Sequence, residues 1–274
     1  MCYPQWKQME IIAGFLIAMA IGMTGIGAGS ITAPVLILFF AQSTTQAVTI
    51  ALVFGTVVKL IATPIYFARG QINFRILGYL AAGGLPGVLL GSLLLASMNK
   101  ASMNEPVLII VGLTIVFSAG ATLMRGLANN VVSKPIPEKW LSWLVAPIGL
   151  EVGFSSAGAG ALGSVVLMRY TALLPAQVIG TDLAFGLLLS MFGGSIHAGM
   201  TGLPTAILIK LLIGGIPGVL VGTQLATSMP PKKLRFALCL WLLYVGVQLS
   251  YRGISGIVEA KAKVGQSQQP VPAR

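Results

Sequence analysis

Gly83-Gly84-Leu85-Pro86-Gly87-Val88-Leu89-Leu90-Gly91-Ser92 returns as Gly214-Gly215-Ile216-Pro217-Gly218-Val219-Leu220-Val221-Gly222-Thr223. The offset of 131 positions (83 to 214) also lays Gly22 on Gly153 and Gly27-Ala28-Gly29 on Gly158-Ala159-Gly160. Without a gap it further matches Gln46 with Gln177, Phe54-Gly55 with Phe185-Gly186, and Ser97-Met98 with Ser228-Met229. Both copies are strongly apolar, which predicts a duplicated helical bundle in a bilayer. Of 274 residues, 56% are hydrophobic and 8% charged, with a mean hydropathy of +0.91. A soluble domain carries about 25% charged residues, so this chain could not clothe a water-facing surface. Its 34 glycines suit the close approach of membrane helices.

The formal net charge is +11. The basic residues lie mostly in short polar gaps between apolar runs, the pattern of loops under the positive-inside rule, so nucleic acid is not an expected partner. Cys2 and Cys239 have neither metal nor redox spacing. The first apolar run has Lys7 before it, is too long for a cleaved signal peptide and lacks a cleavage site; it reads as the first span.

A spanning helix needs roughly 20 apolar residues. Eight runs qualify, at about 9–40, 46–68, 76–97, 106–128, 140–168, 175–200, 203–228 and 233–254. The expected fold is therefore an all-α membrane protein of two four-helix repeats, 1–124 and 140–258. The segment 125–139 is a linker and 259–274 a polar tail without structure. The first and fifth runs are too long for one helix and carry the matched Gly-Ala-Gly segments, so each is read as a helix, a glycine-rich break and a short second arm. Four spans per copy predicts halves running the same way. The termini then share a face with Lys7, Arg69, Arg75, Arg125, Lys134, Lys139, Arg252, Lys261, Lys263 and Arg274, against Lys100, Arg169, Lys232, Lys233 and Arg235 opposite. That distribution favours cytoplasmic termini. An extra passage at each break would invert the second half and require a new tally.

Non-helical backbone cannot face lipid, because its amides and carbonyls would go unpaired. The breaks at Gly25, Gly27 and Gly29, and at Gly158 and Gly160, are therefore expected to point inward. A helix restarting after such a break turns free N–H groups and a positive dipole end toward the gap, which suits an anion. The alternative is a packing seam of small residues. Five ionisable residues fall within apolar runs: Lys59, Glu151, Asp182, His197 and Lys210. Such residues are costly in hydrocarbon and are candidate functional groups. At about 1.5 Å per residue, Asp182 lies roughly 10 Å and Lys59 roughly 20 Å from the outer end of their spans, and Glu151 roughly 16 Å from the cytoplasmic end of its own. Lys59 is the cation placed to attract an anion, or alternatively a partner for Glu151. Asp182 and Glu151 are candidates for proton coupling or gating, or for capping and polar packing. His197 could titrate or simply hydrogen bond. Lys210, near a helix end, is expected to snorkel, and Trp6, Trp140 and Trp143 to anchor at the interface.

These elements, in order, resemble the sulfite exporter TauE/SafE family of membrane permeases. The first copy offers Gly25-Ile26-Gly27-Ala28-Gly29, Pro34, and Tyr66 followed by Gly70-Gln71-Ile72-Asn73-Phe74. It departs from the family pattern at Ala47-Val48-Thr49-Ile50-Ala51-Leu52. The second copy keeps Gly158-Ala159-Gly160, Gly180-Thr181-Asp182-Leu183 and His197 with Gly202, but has Val165 where the first copy has its proline. The resemblance covers about residues 22–229. It implies a carrier of small sulfur-containing or carboxylate anions in the cytoplasmic membrane.

The expectation is thus a permease, not an enzyme, whose anion is held near the midplane by the two breaks, Thr181 and Lys59, with alternating access between the halves. No cofactor is expected; a homodimer is compatible with the sequence. The rival is a membrane-embedded enzyme or cofactor-assembly protein. A metalloenzyme wants several His, Cys or carboxylate ligands, and the chain has one histidine and two cysteines.

Overall fold

The computed structural model describes residues 5–24, 28–100, 104–127, 136–157, 160, 162–225 and 231–267. Within them the regular structure is helical: α1 (Gln5–Thr24), α2 (Ala28–Phe39), α3 (Thr44–Ala68), α4 (Phe74–Lys100), α5 (Asn104–Leu127), α6 (Glu138–Ser155), α7 (Leu162–Tyr170), α8 (Pro175–Thr201), α9 (Thr205–Leu225) and α10 (Pro231–Ser267). Four stretches are long and apolar enough to cross a membrane: Thr44–Ala68, Phe74–Met98, Pro175–Thr201 and Thr205–Leu225. Shorter apolar helices cover Met9–Met23, Ala28–Phe39 and Glu105–Ala121. Large apolar side chains such as Phe117, Trp143 and Val247 lie on the outside, the surface expected of a protein solvated by lipid. α10 continues to Ser267, past the point where the sequence suggested an unstructured tail. Glu259, Ala260, Lys261, Ala262 and Lys263 are all good helix formers.

The glycine stripes set how the helices meet. A side chain on Gly83, Gly87 or Gly91 of α4 would strike the backbone of Ser142, Ala146 or Leu150 on α6. On α9, Gly214, Gly218 and Gly222 would strike the backbone of Ile11, Phe15 and Met19 on α1. Each of these contacts is the other moved by 131 positions. The rows climb together, so α4 runs parallel to α6, and α9 to α1. Only glycine every fourth residue lets two backbones come this close. Ser142 Oγ adds a hydrogen bond to the Tyr79 carbonyl of α4, 2.8 Å.

The centre is built differently. α3 and α8 run antiparallel: Leu52 packs on Gly193, Lys59 reaches Gly186, and Thr49 Oγ1 lies 3.1 Å from Thr201 Oγ1. α5 and α10 are also antiparallel, with Glu105 against Gly253 and Gly256, and Val116 against Gly246. Halves that ran the same way would have made α3 and α8 parallel. The expectation of parallel halves drawn from an even number of spans therefore fails.

Candidate functional site

The two interrupted segments touch. α6 ends at Ser155, Ser156 takes a left-handed conformation (φ 58°), and Gly160 has φ 100° before α7 begins. A side chain on Gly29, in the first turn of α2, would fall on the carbonyl and hydroxyl of Ser156. The start of α2 thus rests on the end of α6. Gly160 is buried. Gly25, Gly27 and Gly158 lie outside the described residues. Two serines that the sequence reading passed over stand at this junction. Ser30 (2% exposed) and Ser156 (3%) are buried, and neither hydroxyl has a hydrogen-bond partner among the described residues. Their signal was weak, because a serine in a membrane helix ordinarily bonds its own backbone, as Ser155 does to the Glu151 carbonyl (3.0 Å).

Asp182 of α8 sits on the first turn of α7. Its Oδ2 accepts a 2.5 Å hydrogen bond from Ser164 Oγ, and a side chain on Gly163 would meet its Oδ1. The carboxylate therefore occupies the positive end of this half-helix. In the other half the counterparts, 131 positions earlier, are Ala33 and Ala51, both buried. Among the described residues, one half-helix start carries a carboxyl group of the protein and the other carries none.

Lys59 is buried and donates to the Gly186 carbonyl of α8, 2.9 Å away. Gly186 lies one turn along α8 from Asp182, about 6 Å by the helix rise, so Lys59 and Asp182 approach the same stretch of that helix. Counted along spans of parallel halves, they stand roughly 10 Å apart along the membrane normal. Reversing α8 relative to α3 narrows that gap, because roughly 10 Å from one face of a 30 Å core is roughly 20 Å from the other. The partner of Lys59 is the Gly186 carbonyl, and not Glu151.

Thr181, His197 and Lys210 each have a partner within the protein. Thr181 Oγ1 accepts from the Asn73 amide (3.0 Å), and a side chain on the adjacent Gly180 would strike the Gln71 carbonyl, so Thr181 secures the α3–α4 turn. His197 Nε2 lies 2.8 Å from the Gly153 carbonyl. A carbonyl only accepts, so Nε2 carries the hydrogen. Ser92 Oγ donates to the same oxygen at 3.5 Å. These two side chains supply the partner that the last turn of α6 lacks. Lys210 does not snorkel: it forms a 2.5 Å ion pair with Glu10 across the α1–α9 seam. Glu151 stands apart, buried on α6 and lining a cleft toward α5 and α7. Trp140 and Trp143 are exposed, as interface anchors should be.

Long apolar helices, interrupted segments in contact, and charges buried at their junction define a multi-pass membrane transporter. Residues 10–249 match the sulfite exporter TauE/SafE family, and the chain belongs to it. It is 27% identical over 252 residues to a protein of Bacillus subtilis (strain 168) described as "Probable membrane transporter protein YjnA", covering 87% of this chain and 98% of that protein. No solved structure matches. The family is one of permeases, so the chain is a transporter rather than an enzyme.

Proposed function

We propose that this chain carries small anions, of the sulfur oxyanion, sulfonate or carboxylate class, across the cytoplasmic membrane by alternating access. The carrying observation is the junction of the two breaks, where Gly29 meets Ser156 beside two buried hydroxyls without partners among the described residues. In this reading α1, α3, α4, α5, α6, α8, α9 and α10 are the eight spans, and α2 and α7 are short return arms. Each half (1–124 and 140–258, joined by 125–139) then makes five passages, and an odd number inverts the second half. Inverted repeats with broken helices at the midplane are a recurrent transporter plan.

The anion binds at the start of α2, among the N–H groups freed by the break, with Ser30 and Ser156 as donors and Gly29 letting the end of α6 close against that start. Lys59 supplies the positive field. Asp182 fills the equivalent position on α7 and keeps a second anion out. A single chain contains both breaks, so the reading does not require a homodimer. The test is flux into proteoliposomes of sulfite, thiosulfate, sulfonates and small carboxylates. One of these should move in the wild type and none in Gly29→Leu, whose added side chain wedges the junction apart. Flux of none by the wild type overturns the reading, as does full activity in Gly29→Leu.

A further inference from the structure

The mechanism above leaves one buried acid unused. Glu151 lies on α6, one turn before Ser155, and is only 8% exposed. Its Oε1 is buried without a hydrogen-bond partner among the described residues. It lines a cleft of about 540 Å³ between α5, α6 and α7, whose other walls include Leu113, Phe117, Pro147, Ile148 and Val166. Thr114, the cleft's hydroxyl, donates to the Val111 carbonyl of its own helix (2.9 Å). The rim is open: Phe117 is 69% exposed and Leu113 56%, on a surface that faces lipid.

Among the described residues, three charged or titratable groups on neighbouring helices are engaged elsewhere. Arg75 of α4 pairs with Glu138 at the first turn of α6 (2.8 Å). On α8, Asp182 takes the Ser164 hydroxyl and His197 faces the Gly153 carbonyl. Among the described residues, no cation from α5 or α7 lines the cleft. A bare carboxylate against hydrocarbon, with no counter-ion, is several kcal/mol less stable than the neutral acid.

We propose that Glu151 is a proton-carrying site, holding its proton in a cleft open to lipid and releasing it only when movement of α6 exposes it to water. This inference rests on the transporter reading and adds the coupling ion. The position equivalent to Glu151 in the first half is Ala20, so each chain holds one such site.

A lipid-soluble carbodiimide adds across the O–H of a neutral carboxylic acid and rearranges to a stable N-acylurea, with no atom lost. Dicyclohexylcarbodiimide applied to the whole protein in proteoliposomes should therefore give one adduct, mapped to Glu151 by peptide mass. It should be absent in Glu151→Gln, retained in Asp182→Asn, and not reproduced by a water-soluble carbodiimide. Under an imposed pH gradient Glu151→Gln should exchange substrate but lose accumulation at least tenfold. Wild-type protein without an adduct at Glu151, or labelled equally by the water-soluble reagent, overturns the inference, as does undiminished accumulation in Glu151→Gln. An adduct on a wild type that moves no anion would instead sink the transporter reading and leave the protonated site standing.

Discussion

Ser30 and Ser156 are the residues on which the proposed site depends most directly. A hydrogen bond to a charged group contributes about 1.5–3 kcal/mol, so Ser30→Ala and Ser156→Ala should each raise KM about tenfold or more while leaving expression and thermal unfolding unchanged. Unaltered KM in both would move the anion elsewhere. The Glu10–Lys210 pair makes the opposite kind of demand. Removing one partner of a mostly buried pair strands the other, at about 3–5 kcal/mol, whereas replacing both by apolar residues is often tolerated. Glu10→Leu should therefore unfold at a clearly lower temperature in detergent than Glu10→Leu with Lys210→Leu, and the reverse order would show that the pair contributes little. At this scale the sequence was a partial guide. Lys59, Glu151 and Asp182 stood out because a charge in an apolar run is conspicuous. The serines did not, since an unpartnered hydroxyl differs from a satisfied one only in its surroundings. Glu10 escaped notice because it lies near the start of its run, and its meaning came from Lys210, two hundred residues away.

Among elements, the seams α1–α9 and α4–α6 carry the tightest packing, and their glycines tolerate nothing larger. Overpacking costs about 1–3 kcal/mol even where side chains can shift; here the obstacle is backbone on the facing helix. Gly87→Leu and Gly218→Leu should each lower thermal stability markedly, and to a similar extent, because they strike the corresponding carbonyls of Ala146 and Phe15. Gly78 is the internal control, for a side chain there meets nothing within 4 Å. Gly78→Ala should be neutral or slightly stabilising, as alanine is the better helix former by about 1 kcal/mol. A scanning-fluorimetry series over the three variants checks the order. The helices themselves were legible in advance, since runs of some 20 apolar residues and their polar gaps are local features. The glycine repeat was visible too, but not which helix each copy would face. That pairing joins α1 to α9 and α4 to α6 across the length of the chain, and no local pattern encodes it.

For the whole molecule, helix direction decides which face each loop occupies, and this changes the charge tally. α3 and α4 are joined by a turn at 69–73, and α8 and α9 by one at 202–204, so each pair forms a hairpin. With α3 opposed to α8, α1 parallel to α9 and α5 opposed to α10, both termini fall on the face away from the 69–73 turn. That turn's face receives Arg69, Arg75, Arg125, Lys134, Lys139, Arg169, Lys232, Lys233 and Arg235 by their places in the sequence. The terminal face receives Lys7, Lys100, Arg252, Lys261, Lys263 and Arg274. Arg252 belongs there because it lies about 30 Å along α10, one hydrocarbon thickness from its start. Basic residues in short loops stay in the cytoplasm, so the excess of nine over six predicts that the 69–73 turn lies inside and the termini outside. The eight-span count with parallel halves predicts the opposite, cytoplasmic termini. The margin is narrow, which makes the outcome informative. Alkaline phosphatase fused after Arg274 should be active and a fluorescent-protein fusion at the same point dark, while a cysteine at position 71 should react with a maleimide only from the cytoplasmic side. A bright fusion with inactive phosphatase would keep the helix directions but show that another force orients the bundle; labelling of position 71 from the terminal side would break the hairpin itself.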